Sequence, residues 1–254
     1  FNGPQEILSI TANTWTYSNT GTGETATGTA QLLGDTGIGI DGISIDLNSA
    51  NQTVDDWFSN GINLVNIGNS RISVRKGLNG LRRNLSLINA GAVEVPYSYT
   101  FPTGVALQCD SHCNAINVGV ISGESNEDLF AWGITQNDGG TYPATGSPSG
   151  LKNSGSCSVQ SINGNATSTC HLKLFAYTGY DIGSVTVGSI TGIGSSISGD
   201  TSSGASGGTM TLLDVRNINV QPRANGQGGI NFSLAVTTMR LANIIDNLVA
   251  GNYI

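Results

Sequence analysis

The sequence predicts an all-β protein, built as an antiparallel β-sandwich or jelly roll with one or two short helices. Three observations carry that expectation. Apolar residues recur with period two in many short stretches. The clearest is Ile230, Phe232, Leu234 and Val236, with Asn231, Ser233, Ala235 and Thr237 between them, the pattern of a strand with one buried and one wet face. Gly, Asn and Ser clusters separate these stretches at the spacing of sandwich turns. Gly supplies 36 of 254 residues and charged residues only 11%, against roughly 25% charged in an average soluble domain. Short neutral side chains suit strands and turns, and the 38% hydrophobic content is enough to order most of the chain.

Taken in order, Glu6, Ile7, Leu8, Ser9, Ile10 and Thr11 form the first strand candidate, and Thr14–Ser18 the second. Ile38, Ile40, Ile43, Ile45 and Leu47 read as strand, interrupted at Asp41-Gly42. Residues 51–60 read as a helix, with Thr53 as cap, Asp56 three residues on and Gly61 as stop. Strand resumes from Gly61 to Val74 and reaches a hairpin tip at Gly77-Leu78-Asn79-Gly80. Strands follow over 93–99, 105–107, 116–120 and 129–134, and then a turn-rich stretch, 138–156, that is either a domain boundary or a long loop. Cys157–Tyr177 reads as a hairpin turning at Gly164, 185–193 as strand, and 194–208 as a Gly/Ser loop. Met210–Val220 and Ile230–Thr237 read as a second hairpin around Pro222–Gly229. Leu241, Ile244, Ile245, Leu248 and Val249 have helical spacing, with strand as the competing reading. No repeat of fixed period is strong enough to mark a solenoid, so a solenoid is not expected. One β-rich domain over 1–254 is the expected organisation.

Charge is segregated. Residues 1–70 hold seven acids and no base, whereas Arg71, Arg75, Lys76, Arg82 and Arg83 stand together without an acid. An acidic chain of net charge −7 makes a poor nucleic-acid binder. The basic cluster reads as a patch for an acidic surface on another copy, or as a solvated loop. Cys109, Cys113, Cys157 and Cys170 are an even set. Disulfides Cys109–Cys113 and Cys157–Cys170, in an oxidising compartment, are expected. No apolar run is long enough for a transmembrane helix, and no leader opens the sequence, so a processed, secreted product located outside the cell or at its surface is expected.

Little in the sequence suggests catalysis. Gly37-Ile38-Gly39-Ile40-Asp41-Gly42 matches the dinucleotide fingerprint but leads into strand where that motif needs a helix. Gly204-Ala205-Ser206-Gly207-Gly208 matches a nucleophile elbow, yet no histidine follows Ser206 to complete the triad order. His112 and His171 each adjoin a cysteine, in no standard zinc spacing, and no Asp-rich calcium loop occurs. Four glycosylation sequons are present, at Asn51, Asn84, Asn165 and Asn231. No enzyme, cofactor or metal is therefore expected. The function expected first is a structural subunit of an extracellular filament, pilus-like fibre or surface assembly, in which copies of the chain polymerise through β-strand contacts. Glu6–Thr11 would be the inter-subunit strand. A carbohydrate-binding adhesin, recognising cell-surface glycans through Trp15, Trp57, Trp132 and tyrosines, is the alternative. A secreted hydrolase working through paired carboxylates is the third.

Overall fold

A computed structural model of the chain describes residues 7–10, 15–17, 35–46, 60–79, 83–110, 112–125, 127–133, 155–176, 181–201, 208–221 and 229–246. The chain divides into two units, Phe1–Ala30 and Gln31–Ile254. In the first, β1 (Ile7–Ile10) pairs antiparallel with β2 (Trp15–Tyr17).

The second unit holds β3 (Asp35–Thr36), β4 (Gly39–Asp46), β5 (Asn60–Gly68), β6 (Arg71–Leu78), β7 (Arg83–Gly91) and β8 (Glu94–Thr103). There follow β9 (Val105–Asp110), β10 (Ile116–Ser125), β11 (Phe130–Gly133), β12 (Ser156–Ala176) and β13 (Ser184–Thr201). The last are β14 (Thr209–Val215), β15 (Ile218–Gln221), β16 (Ile230–Phe232), β17 (Ala235–Leu241) and β18 (Ile244–Asp246).

All pairings in this sixteen-stranded sheet are parallel. The expected antiparallel sandwich is therefore overturned. The strands wall one interior and nearly close around it in the manner of a barrel, but their order is that of a coil. One ladder runs β4, β6, β8, β10, the first half of β12, the first half of β13, then β14 with β15, then β17 with β18. The other runs β3, β5, β7, β9, β11, the second halves of β12 and β13, then β16. From β3 to β13 the chain visits the two ladders alternately, so each circuit lays a new rung on the one before. Parallel neighbours need such a crossover, because a tight hairpin yields only antiparallel pairs.

Several expected elements change accordingly. The Cys157–Tyr177 hairpin is the single bent strand β12, and Met210–Thr237 forms four strands in parallel pairing rather than a hairpin. Leu78 and Arg83 end and begin strands of different ladders, so β6 and β7 are not paired as the expected hairpin, whose Gly80 lies outside the described residues. The expected Gly/Ser loop is strand as far as Thr201. Ile244–Asp246 is strand where helical spacing was read. No helix occurs among the described residues. Of the expected helix at 51–60 all but Asn60, which opens β5, lies outside them, as does most of the stretch 138–156.

The repeat missing from residue identity is present in backbone conformation. Asn66, Asn89 and His112 all have positive φ, as do Asn69, Ala92 and Ala115 one turn-step further on. Asn89 Nδ2 donates to Asn66 Oδ1 at 2.6 Å across 23 residues, the length of one circuit in this part of the coil. Asn tolerates the left-handed region better than other side-chain-bearing residues, which is why it recurs at this corner. On another corner Gly123, Gly164 and Gly192 stand in register on successive rungs. Gly164 has φ +149°, and a Cβ there would lie 2.0 Å from the Gly123 carbonyl oxygen, so only glycine fits.

Inside, like residues stack in columns from rung to rung. Val95, Val118, Val159, Val187, Val215 and Leu241 form one. Ile62, Leu85, Leu107, Phe130, Leu172, Ile197 and Ile230 form another on the second ladder. The middle rungs of both are buried, and burial of this kind contributes roughly 1.5–3 kcal/mol per large aliphatic side chain. Trp132 is buried with its Nε1 donating to the Ile182 carbonyl at 2.7 Å. His171 is also buried, its ring nitrogens 2.7 Å from Ser195 O and 2.8 Å from Gly164 O, which ties β12 to β13.

Candidate assembly surfaces

The four cysteines are buried free thiols, which overturns the expected disulfides. Their positions explain it. Cys109 stands between Leu87 and Trp132 in an inner column, and Cys157 between Ile116 and Val185 in another. There cysteine serves as a small apolar residue. Cys113 donates to the carbonyls of Asp110 at 3.3 Å and Leu87 at 3.4 Å. Cys170 donates to Asp128 Oδ1 at 3.3 Å and Leu172 O at 3.2 Å. Burial pushes the Cys109, Cys157 and Cys170 thiols up, and the Asp128 carboxylate adds to the effect at Cys170. With the disulfides goes the observation from which an oxidising compartment was expected.

Four of the five basic residues are described, and they differ in exposure. Arg71 lies on the outer face of β6 and makes ion pairs with Asp41 (3.8 Å) and Glu94 (3.3 Å). Arg75 and Lys76 are exposed on the same strand. Arg83 is buried and hydrogen-bonds through Nε to Gln108 Oε1. Arg82 lies outside the described residues. Ile7–Ile10 of the expected inter-subunit strand is β1 and is paired to β2, while Glu6 and Thr11 lie outside the described residues. Asn84, one sequon asparagine, is fully buried, its Nδ2 donating to Tyr99 O at 3.2 Å. His112 sits in the turn ladder, and burial lowers its pKa. Among the described residues no three His, Cys, Asp or Glu side chains are placed to hold a metal ion.

The coil brings other residues together at its two ends. At one end β4 pairs only with β6 and β3 only with β5, and at the other β17 pairs only with β14 and β18 only with β15, among the described residues. Each such strand leaves one edge of N–H and C=O groups without a ladder partner there. The inner columns open at the same places. One column runs Ile43, Val74, Ser98, Ile121, Ile162, Ile190, Ile218, Ile244. Its six middle members are essentially buried, whereas Ile43 is 39% and Ile244 46% exposed. Met239 ends the column of Cys157, Val185 and Leu213 and is 42% exposed. The half-buried apolar residues packed on the core are Ile38, Ile40, Ile62 and Leu64 at one end and Ile230, Phe232, Val236 and Leu241 at the other.

Sequence reasoning did not single out Ile43, Met239 or Ile244. Their neighbours lie a whole circuit away in the sequence. Comparison of the chain with protein-family models, curated proteins and solved structures gives no match.

Proposed function

We propose that the chain is a structural subunit that assembles with copies of itself through strand contacts at the two ends of its coil. The observation that supports this is the Ile43–Ile244 column, buried along its length and exposed at both tips. Stacked repeats bury a continuous core, and their terminal units need a polar cap to stay apart in solution. Here both tips are apolar and carry a strand edge, a template for another chain. A second copy would cover the Ile43 end of one coil with the Ile244 end of the next, so that main-chain hydrogen bonds continue the ladder and the column continues through the junction.

Ile43→Asp and Ile244→Asp, each placing a charge on one tip, test the reading by sedimentation velocity over a concentration series. Wild-type chains are expected to grow with concentration, and each variant to stay smaller. A wild-type monomer at every concentration would mean that the ends are covered by the chain's own remaining segments, and would overturn the proposal.

One observation favours a second reading, glycan binding. Tyr97, Tyr99 and Phe101 alternate along β8 on its outer face, Phe101 45% exposed, with Ser122 Oγ donating to the Tyr97 hydroxyl at 3.0 Å. A row of rings beside hydroxyls suits stacking of sugar faces. Glycan-array binding lost in Phe101→Ala would favour it.

A further inference from the structure

We infer that the copies stack head to tail, with Arg240 of one chain set against Asp41 of the next, so that the assembly is polar and sensitive to salt. This rests on the assembly reading above and adds its orientation and register. An outer column runs Gly39, Arg71, Glu94, Asn117, Ser158, Thr186, Asp214, Arg240, one residue per rung. Its charges alternate near both ends. Asp41, Arg71 and Glu94 are already linked as acid, base, acid, and Asp214 and Arg240 are acid and base in register. On β4 the column ends at Gly39, with Asp41 two residues on and ion-paired to Arg71, and on β17 it ends at the base Arg240.

Stacking β4 of a second copy beside β17 continues that alternation and places Asp41 between its own Arg71 and the neighbour's Arg240. The apolar columns demand the same register. Setting Gly39 opposite Arg240 also sets Ile40 opposite Leu241 and Ile43 opposite Ile244, with no slip between them. Two β17 ends facing each other, or two β4 ends, would form no Arg240–Asp41 pair. Both alternatives also lose the parallel ladder. A head-to-tail contact of this kind does not close on itself and yields an open polymer.

The test measures the critical concentration for assembly of the full chain, by light scattering and sedimentation, for wild type, Arg240→Glu, and Arg240→Glu combined with Asp41→Lys. Circular dichroism confirms that each is folded. Arg240→Glu is expected to raise the critical concentration about fivefold at low salt, the upper range for an exposed ion pair, and the double variant to recover most of it. Raising salt from about 20 mM to about 500 mM, where screening shortens to a few ångströms, is expected to weaken wild-type assembly and to leave Arg240→Glu little changed or strengthened. Should Arg240→Glu assemble as wild type does while Ile244→Asp is blocked, the orientation and register are wrong and the end-contact reading stands. Should neither change affect assembly, or should wild type not assemble, both fall.

Discussion

Replacing Gly164 by alanine probes the coil directly. Gly164 occupies a rung between Gly123 and Gly192, at φ +149°, and a methyl there would sit 2.0 Å from Gly123 O and 3.0 Å from Gly123 C and N. The obstacle is backbone, held on its far side by the next rung at Thr100, so no side chain can swing aside. A non-glycine residue in a sparsely populated backbone region costs roughly 1–3 kcal/mol, and displacing the neighbouring carbonyl adds to that. A loss of about 3 kcal/mol corresponds to a melting temperature lower by roughly 6–12 °C for a domain of this size. Gly39→Ala is the control. Nothing lies within 4 Å of a Cβ built there, and its effect should stay within about 0.5 kcal/mol. Differential scanning calorimetry or denaturant titration reads both. If Gly164→Ala melts with wild type while Gly39→Ala also does, the in-register glycine corner is wrong, and with it the parallel stacking of β10, β12 and β13.

The remaining predictions concern the thiols and the histidine of the turn ladder. A thiol-reactive dye should label none of Cys109, Cys113, Cys157 and Cys170 in the native protein at neutral pH and all four after denaturation without reductant, because they are buried and three are held protonated by burial. Four thiols missing after denaturation would show disulfides instead. His112 has its pKa lowered in the folded state, so as pH falls below about 6.5 the unfolded chain takes up the proton first. The stability contribution is present above that pH and is lost as pH falls towards the folded-state value. His112→Asn should remove this part of the pH dependence while keeping the turn, since Asn66 and Asn89 occupy the same corner at similar φ. An unchanged acid limb would assign it to other groups.

Strand content was legible in the sequence because period two reports burial of one face, and that holds in either sheet type. Val185 and Val187, or Ile230 and Phe232, face inward as read. Direction was not legible. Gly164 looks like a hairpin turn in isolation, and only the glycines at 123 and 192, on neighbouring rungs, show it to be a corner within one strand. The 23-residue circuit was hidden because it fixes φ at Asn66, Asn89 and His112 rather than residue identity. The cysteines misled for a related reason. Local spacing suggested loops to be stapled, whereas the coil turns these side chains into its interior. Segregated charge was visible, but that Gly39, beside Asp41, and Arg240 stand at opposite ends of one outer column follows only from the register of eight rungs.

The claim that copies continue one another's ladder is tested most directly by diffraction from aligned assemblies, or by helical image reconstruction of them. Eight rungs at the usual strand spacing of about 4.8 Å give an axial rise of roughly 38 Å per subunit, with the strands perpendicular to the axis. A meridional reflection near 4.8 Å together with a subunit rise near 38 Å is the expected result. Assemblies whose subunits join side by side, with their strands unaligned across the junction, would contradict it.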